Sequence, residues 1–381
     1  MNWKRKSKSD WGRLDLSYKQ LGDFSNIKGG KRLPKGQMLV ATPTNHPYIR
    51  VRDLGKSKTL ELDSSFEYIE QETFEKIARY IVNENDIIIS IVGTIGLIGK
   101  VGSTLDGANL TENCAKIVDV EGFDKDFLYY YLTSNEGQSA IHAYTVGAVQ
   151  QKLPLKNIIE LMIPDIPLEN QKKIAKTLSV FDDRIAENKK INHHLEQIAK
   201  AIFYEKFGNQ VPNGLLGDLA SVSSGKRPPI KVSERTATED IPILGAASIM
   251  GYTSKSLYSE KILVTGRVGT HGIIQRYNRP CWPSDNALVL KSDDYELVYQ
   301  NLLSIDFSSM NRGSTQPLIT QTDLKNVAIY IPTQIELSDF EDTVGTIMQQ
   351  YESNIVANES LVQLRDSLLP KLMSGEISVT D

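Results

Sequence analysis

Two segments of the chain carry apolar residues at every third or fourth position over an unusually long distance. The first covers residues 167–207, with no Pro or Gly after Pro167, and the second covers roughly residues 335–369. Steps of three and four predict a long amphipathic helix with coiled-coil character in each segment. Pro167 suits the first turn of a helix, and Gly208 is a typical residue just beyond a helix end.

The apolar seams of the two predicted helices match each other. When Asn188 is aligned with Asn354, the apolar positions coincide and each seam is interrupted by two Asn residues. Buried Asn in such a seam fixes the register of paired helices, whereas the alternative is that these side chains face solvent. We therefore expect the helices to pair antiparallel, with one domain at each end. The predicted seam residues are Leu178, Phe181, Ile185, Asn188, Asn192 and Leu195 in the first helix, and Val344, Ile347, Tyr351, Asn354, Asn358 and Leu361 in the second.

Outside these helices the apolar residues occur in short runs typical of strands, separated by two shorter helical patterns. This alternation predicts an α+β fold with two similar mixed α/β domains, in addition to the antiparallel helices. The strand-like runs cover residues 48–51, 87–92, 115–118, 158–163, 262–264 and 287–290, and the helical patterns cover 127–133 and 297–304.

The chain also repeats itself. Residues 21–34 return as residues 216–229 with seven of fourteen positions identical, and further matching segments follow in the same order in both halves. The repeat is far longer than the unit of a solenoid protein, so it indicates an internal pseudo-two-fold repeat of whole domains. Two similar domains imply two similar binding events. The predicted boundaries are 1–166 for the first domain with a basic N-terminal tail, 167–208 for the first helix, 209–334 for the second domain, and 335–381 for the second helix and a C-terminal tail.

Composition changes this picture little. The chain has 381 residues, 40% of them hydrophobic and 24% charged, which fits two or three ordinary globular domains. The net charge of −4 is concentrated in residues 334–381, which hold 2 basic and 9 acidic residues. The remainder is close to neutral, so local basic patches could contact phosphate but charge alone does not identify a partner.

No apolar run approaches the ~20 residues that cross a bilayer, and no apolar signal segment follows the basic start of the chain. We therefore expect a cytoplasmic protein. Cys114 and Cys281 are the only cysteines and are expected to be plain core thiols rather than a disulfide or metal site.

Several repeated polar elements are candidates for contact with DNA. Each repeat has a Gly-Lys-Arg element whose two cations suit phosphate contact or bidentate reading of guanine, although a solvated basic turn is an equal alternative. Each also has a Gly-Thr-x-Gly turn that could offer amides and a hydroxyl to phosphate, or could simply be a tight hairpin. A Gln in each repeat could pair with adenine or could be a structural amide. The candidates are Lys31, Arg32, Thr94, Gly96, Gln150, Lys226, Arg227, Thr270, His271 and Gln316.

The sequence offers little for catalysis. The five His residues show no metal-ligand spacing, and the chain has neither a Gly-x-Ser-x-Gly element nor the glycine fingerprint of an adenine methyltransferase. We therefore expect a non-catalytic protein with no metal site of its own.

Three motifs together give a resemblance to a known family. Residues 166–174 read Ile-Pro-Leu-Glu-Asn-Gln-Lys-Lys-Ile, residues 368–377 read Leu-Leu-Pro-Lys-Leu-Met-Ser-Gly-Glu-Ile, and residues 93–96 read Gly-Thr-Ile-Gly. With the repeat and the matched helices, the whole chain resembles the specificity subunit of type I restriction-modification systems. The second helix departs from the pattern, because residues 331–337 lack the full Pro-Leu-Glu-x-Gln form.

The resemblance implies two target-recognition domains, each reading one half of a split double-stranded DNA sequence in the major groove. It implies that the antiparallel helices set the spacing and dock two methyltransferase subunits, which bind S-adenosylmethionine and methylate adenine. Motor-nuclease subunits would join for restriction, and this chain would hold no cofactor. The first domain has a longer segment before its Gly-Thr-x-Gly turn, so the two domains are expected to read different half-sites.

Two other functions remain open from the sequence. The chain could serve as the specificity subunit of a fused restriction-methylation enzyme of another type. It could also be a coiled-coil scaffold that binds only proteins. A neighbouring methyltransferase gene would favour DNA recognition over the scaffold.

Overall fold

The computed structural model describes residues 17–147, 151–268, 272–307, 309–310, 318–374 and 376–377. The chain forms two compact units. The first comprises Met1–Asn188 and Val356–Asp381, and the second comprises Lys189–Ile355. Each unit therefore takes one stretch from each of the two long helices.

The first unit is a mixed α/β domain. Its sheets have the strand orders β2-β9-β6-β7-β4, β5-β3-β8 and β1-β10, and all pairs are antiparallel except β4 with β7 and β3 with β8. Its strands are β1 Tyr18–Gln20, β2 Asn26–Gly29, β3 Pro47–Ile49, β4 Thr59–Leu60, β5 Glu67–Tyr68, β6 Ile87–Ser90, β7 Ile98–Val101, β8 Asn109–Leu110, β9 Cys114–Val118 and β10 Met162–Pro164, and its short helices are α1 Gln71–Ile77, α2 Lys125–Thr133, α3 Asn135–Ala143 and α4 Leu155–Ile159.

The second unit repeats this topology with fewer strands. Its sheets have the orders β12-β18-β15-β16, β14-β13-β17 and β11-β19, and β13 pairs parallel with β17 as β3 does with β8. Its elements are β11 Gly214–Leu215, α6 Leu216–Leu219, β12 Ser221–Ser224, β13 Ile241–Leu244, β14 Ile249–Thr253, β15 Ile262–Gly266, β16 Gln275–Tyr277, β17 Trp282–Pro283, β18 Ala287–Lys291, α7 Tyr295–Ser304, α8 Gln321–Lys325 and β19 Ala328–Ile329. The predicted pair of similar α/β domains is confirmed.

The two long helices are also confirmed. Helix α5 spans Leu168–Phe207 and helix α9 spans Gln334–Met373, with 40 residues each. Each domain packs its short helices on these long ones. In the first unit Phe127 and Leu128 of α2 share a core with Leu178 of α5 and Leu369 of α9. The second unit has the corresponding core from α7, α5 and α9.

One predicted strand is wrong. Residues 158–163 were expected to be extended, but the chain forms helix α4 first and extends only in β10. Pro154 starts the helix, since its carbonyl accepts from the amides of Asn157 and Ile158 at 2.9 and 3.2 Å. A short apolar run without alternation does not distinguish a buried helical turn from a buried strand.

Both cysteines are free and buried, which confirms the expected core thiols. Among the helices of the described residues, none combines the length and the apolar character needed to cross a membrane.

Candidate nucleic-acid interface

The Gly-Lys-Arg element of the first unit is a loop that lies directly against the backbone between β8 and β9. The Gly30 amide donates to the carbonyl of Cys114 at 3.0 Å, and the Lys31 amide donates to that of Leu110 at 2.8 Å. A Cβ atom on Gly30 would lie 2.0 Å from the carbonyl oxygen of Thr111. Glycine is therefore required here for the close approach of two backbones.

The second unit has the same arrangement. The Gly225 amide donates to the Ala287 carbonyl and the Lys226 amide to the Pro283 carbonyl, both at 3.0 Å. A Cβ atom on Gly225 would lie 2.2 Å from the Ser284 carbonyl oxygen. The sequence repeat is thus a repeat of backbone geometry.

An aromatic donor fixes the lysine carbonyl in both loops. The Tyr48 hydroxyl donates to the carbonyl of Lys31, and the indole Nε1 of Trp282 donates to that of Lys226, each at 2.7 Å. Burial raises the pKa of Tyr48 to about 12, so its hydroxyl keeps its proton at neutral pH. The donors come from different strands, β3 and β17, and the residue types differ, so sequence comparison of the repeats does not reveal them.

The cationic side chains of these loops face solvent. Lys31, Arg32, Lys226 and Arg227 are all exposed. The Lys31 Nζ lies 5.6 Å from the centroid of the Tyr80 ring, which is within cation–π range. A backbone fixed by these contacts, with exposed cations, suits both phosphate contact and guanine reading, and a DNA contact by these residues stays a prediction.

A second repeated loop was not predicted from the sequence. Thr111, Glu112 and Asn113 face the Gly-Lys-Arg loop of the first unit, and Ser284, Asp285 and Asn286 take the same places in the second. The signal was present as Thr-Glu-Asn and Ser-Asp-Asn just before β9 and β18. It was missed because only the Asn residue is identical in the two copies.

The Gly-Thr-x-Gly turn of the first unit connects β6 to β7. Gly93 and Gly96 have φ of +83° and +85°, a region that favours glycine. Ser90 Oγ donates to the carbonyl of Thr94 at 2.6 Å and accepts from the Leu97 amide at 2.8 Å. Gly96 is buried and Thr94 is exposed. These contacts account for both glycines as parts of a hairpin, and a phosphate contact by Thr94 or Gly96 stays a prediction.

Four other candidates cannot be placed. Gln150, Thr270, His271 and Gln316 lie outside the described residues.

The predicted seam of the first unit lies between α5 and α9. Asn188 Nδ2 donates to Asn358 Oδ1 at 2.8 Å. Further along the same two helices, Arg365 Nη1 donates to Asp182 Oδ1 at 2.5 Å. These pairs show that the two helix stretches run antiparallel. Leu178, Ile185 and Asn188 are buried, and Phe181, Asn358 and Leu361 are half-buried.

The second unit has the corresponding seam. Asn354 Nδ2 donates to Asn192 Oδ1 at 2.8 Å, and Asn192 Nδ2 donates to the Tyr351 carbonyl at 3.1 Å. Phe203 of α5 lies against Phe340 of α9, with ring centroids 6.2 Å apart. Asn192, Val344 and Asn354 are buried, and Leu195, Ile347 and Tyr351 are half-buried.

The structure also gives a physical reason for the motif at the start of α5. Gln171 is 1% exposed, and its side chain accepts from the Asp124 amide at 2.9 Å and donates to the Ile166 carbonyl at 2.8 Å. It thus ties the start of α2 to α5. In the second unit Glu341 of α9 has this role, accepting from the amides of Glu296 and Leu297 at 3.2 and 2.8 Å. The second helix therefore does not need the full motif.

In each unit, buried and half-buried charged side chains form ion pairs with other charged side chains of the same unit. Arg276 donates to Glu296 at 2.6 and 2.7 Å and to Glu352 of α9 at 2.8 Å. In the first unit, Lys58 and Lys100 contact Asp126 at 3.3 and 2.6 Å. Arg276 thereby links α7 to α9, and Asp126 links α2 to the sheet. Within the described part of the chain, no cluster of His, Cys, Asp or Glu could hold a metal ion.

Comparison with known proteins gives consistent similarities. The family model described as the type I restriction modification DNA specificity domain matches residues 14–197 and 213–362. The type I restriction enzyme MjaVIII specificity subunit of Methanocaldococcus jannaschii is 31% identical over 417 residues, covering 92% of this chain and 95% of that protein. The MjaIX specificity subunit of the same organism is 23% identical over 421 residues, covering 98% and 96%.

One solved structure shares the fold. The crystal structure of the type I restriction-modification system S subunit from M. genitalium covers 95% of this chain and 96% of its own, with a TM-score of 0.50 and 17% sequence identity.

Proposed function

This chain belongs to the type I restriction-modification DNA specificity family, and from that premise we propose that it recognises a bipartite DNA target. Each unit reads one short block of sequence in the major groove, and helices α5 and α9 set the number of unread bases between the blocks. The chain thereby directs adenine methylation and restriction by partner subunits.

The observation that carries this proposal is the duplicated Gly-Lys-Arg loop. Both copies have the same amide contacts to a neighbouring strand connection, the same tight glycine and an aromatic donor on the lysine carbonyl. A scaffold that binds only proteins has no need of two identical rigid loops that expose Lys and Arg. A split DNA target needs one such loop for each half, because cations on a fixed backbone contact phosphates or guanine reproducibly.

The recognition is local rather than driven by overall charge. With a net charge of −4 the protein lacks a general attraction for DNA, so binding depends on the basic loops and their neighbours. We include the remaining candidates from the sequence as further contacts to bases or phosphates. These are Thr94, Gly96 and Gln150 in the first repeat and Thr270, His271 and Gln316 in the second.

The chemistry belongs to partners in this proposal. Two methyltransferase subunits bind S-adenosylmethionine and methylate adenine, motor-nuclease subunits carry out restriction, and this chain contributes no catalytic residue. The relatives described above are themselves named specificity subunits of restriction enzymes, which supports the division of labour. Val180, Ile335 and Val356 are exposed apolar side chains on the long helices that a protein partner could contact.

The test is to co-express the chain with the methyltransferase encoded beside its gene and to map modified adenines across the host genome. We expect a motif of two short fixed blocks separated by a fixed number of arbitrary bases. An assembled complex that modifies no motif would overturn the proposal and would favour the scaffold function.

A further inference from the structure

Glu112 forms an ion pair with Arg32 of the first basic loop. Its Oε1 lies 3.1 Å from Arg32 Nε, and its Oε2 accepts from the Thr111 hydroxyl at 3.0 Å. Thr111 is itself buried. The carboxylate therefore accepts a hydrogen bond from a buried residue through one oxygen and contacts the guanidinium through the other. The side chain of Arg32 is 83% exposed and that of Glu112 is 35% exposed.

An ion pair this exposed contributes little to folding. The guanidinium atom that the carboxylate contacts is more informative than the strength of the ion pair. The recorded contact of the carboxylate is with Nε of the guanidinium, and no hydrogen bond among the described residues involves its two terminal nitrogens. Among the described residues, Arg32 Nη1 and Nη2 have no hydrogen-bond partner, so two parallel donors of a rigid planar group remain free.

Two parallel guanidinium donors match the O6 and N7 acceptors of guanine in the major groove. Resting on the proposed function, we propose that Glu112 is a positioning residue that orients Arg32 to read one guanine in the first half-site. Fixing the side chain before binding removes part of the entropy that a free arginine loses on contact. The pair thus makes the first unit specific for a G·C base pair at one position.

The second unit has a shorter version of the pair. Asp285 takes the place of Glu112 and Arg227 that of Arg32, and both are exposed. In the described part of this unit, no ion pair is recorded between Arg227 and Asp285, whose side chain is one methylene shorter than that of Glu112. The effect of removing the carboxylate should therefore be confined to the first half-site.

The experiment uses the co-expressed complex and modified-adenine mapping. Glu112→Gln removes the charge beside Nε, and we expect the preference for G at one position of one half-site to fall about threefold, a loss in keeping with the weakness of an exposed ion pair. All other positions and the spacer should stay as in the wild type. When Arg32→Ala is already present, adding Glu112→Gln should cause no further change in base preference, because Glu112 acts through Arg32.

Asp119→Asn is the matched control. Asp119 pairs with Lys28 at 3.3 Å and has φ of +54°, which Asn tolerates, so the change removes one exposed carboxylate from the same unit. Asp119 follows Val118, which pairs with Asn26 at one end of the β2-β9 pairing. Gly29, which precedes the basic loop, pairs with Ala115 at the other end. This variant should give the wild-type motif.

Two results would overturn the inference. One is a Glu112→Gln complex whose motif equals the wild-type motif at every position. The other is a uniform rise in modification of all sites with base preference retained, because Glu112 would then only repel phosphate. A wild-type complex that modifies no motif would instead count against the proposed function itself, so the two failures are distinguishable.

Discussion

At the scale of single residues, the basic loops depend on a glycine that admits no side chain. Gly30 and Gly225 each bring the loop so close to a neighbouring carbonyl that a Cβ atom would overlap it, at 2.0 and 2.2 Å. The amide and aromatic contacts of the following lysine require that closeness. The presence of a repeated glycine is readable from the sequence, whereas its partner carbonyl is not, because the contact lies far along the chain.

We expect Gly30→Ala to lower the free energy of unfolding by about 1–3 kcal/mol, the usual cost of forcing atoms into a packed site. The neighbouring Gly29→Ala is the matched comparison. Its Cβ would meet only the Leu155 side chain at 3.4 Å, an ordinary contact, so its free energy of unfolding should stay within about 1 kcal/mol of wild type. Chemical denaturation of the full chain gives both values, and equal destabilisation by the two changes would contradict the close-approach argument.

The cations of the same loop carry a separate prediction. Lys31→Ala combined with Arg32→Ala should weaken methylation that depends on the first half-site, because phosphate or guanine contacts are lost. If both cations contact phosphate, the dependence of the logarithm of affinity on the logarithm of salt concentration should fall in slope by about two. The double variant of Lys226 and Arg227 should have the same effect through the second half-site. Unchanged binding to all duplexes would show that the loop is only a solvated turn.

At the scale of elements, periodicity predicted what is long and regular. The 40-residue helices α5 and α9 repeat one apolar pattern over many turns, so their positions were readable within a few residues. The short run at 158–163 was not, since a single helical turn has no repeat to detect. The contacts of Gln171 and Glu341 were equally out of reach. Their partners are backbone amides on α2 and α7, and a sequence does not say which amides a helix side chain will meet.

The Asn192–Asn354 pair of the second unit should fix the register of α5 against α9 more than it stabilises the fold. Replacing Asn192 alone with Leu leaves the Nδ2 of Asn354 without its acceptor, and should lower the free energy of unfolding by about 1–3 kcal/mol. Replacing both with Leu should restore or exceed wild-type stability, as apolar residues often do for buried polar pairs. Denaturant unfolding of Asn192→Leu, Asn354→Leu and the double variant measures this. A double variant less stable than either single variant would show that the pair stabilises the seam directly.

We expect Glu341 to make the stability of the second unit sensitive to pH. Burial raises the pKa of its carboxyl to about 7, above the ordinary value near 4.3 in the unfolded chain. The folded state therefore holds its proton more tightly than the unfolded state between these two values. This contribution to stability is fully present below about pH 4 and is lost as pH rises through 7.

Glu341→Gln should consequently reduce the difference in melting temperature between pH 5 and pH 8, because the amide accepts hydrogen bonds but does not titrate. Glu336→Gln is the comparison on the same helix. Its carboxyl is exposed and hydrogen bonds from Thr333 lower its pKa, so it stays ionised across this range. Equal pH dependence in wild type and Glu341→Gln would show that other groups cause it.

At the scale of the whole molecule, the duplication is the feature that sequence and structure share most fully. The repeated segments predicted two similar domains, and the matched strand orders and the parallel pairs β3-β8 and β13-β17 confirm them. The bases that each unit reads could not be predicted, because they depend on side-chain positions in loops. The predicted domain boundaries likewise stay a prediction.

Helices α5 and α9 are the elements that continue from one unit into the other, so under the proposed function their length should set the spacer. Removing residues 187–193 together with 353–359 takes out both Asn layers while keeping the order of the flanking apolar seam. Each helix becomes shorter by about 10 Å. At about 3.4 Å per base pair, the unread spacer should shrink by about three base pairs.

Modified-adenine mapping with the shortened chain measures the spacer directly. The two fixed blocks should remain those of the wild type, because no residue of either basic loop is altered. Removal from only one helix should abolish modification, since the Asn and apolar layers of the two helices would no longer match. An assembled complex with both deletions and the wild-type spacer would show that the helices do not set the distance between half-sites, and that this distance is determined by the partner subunits.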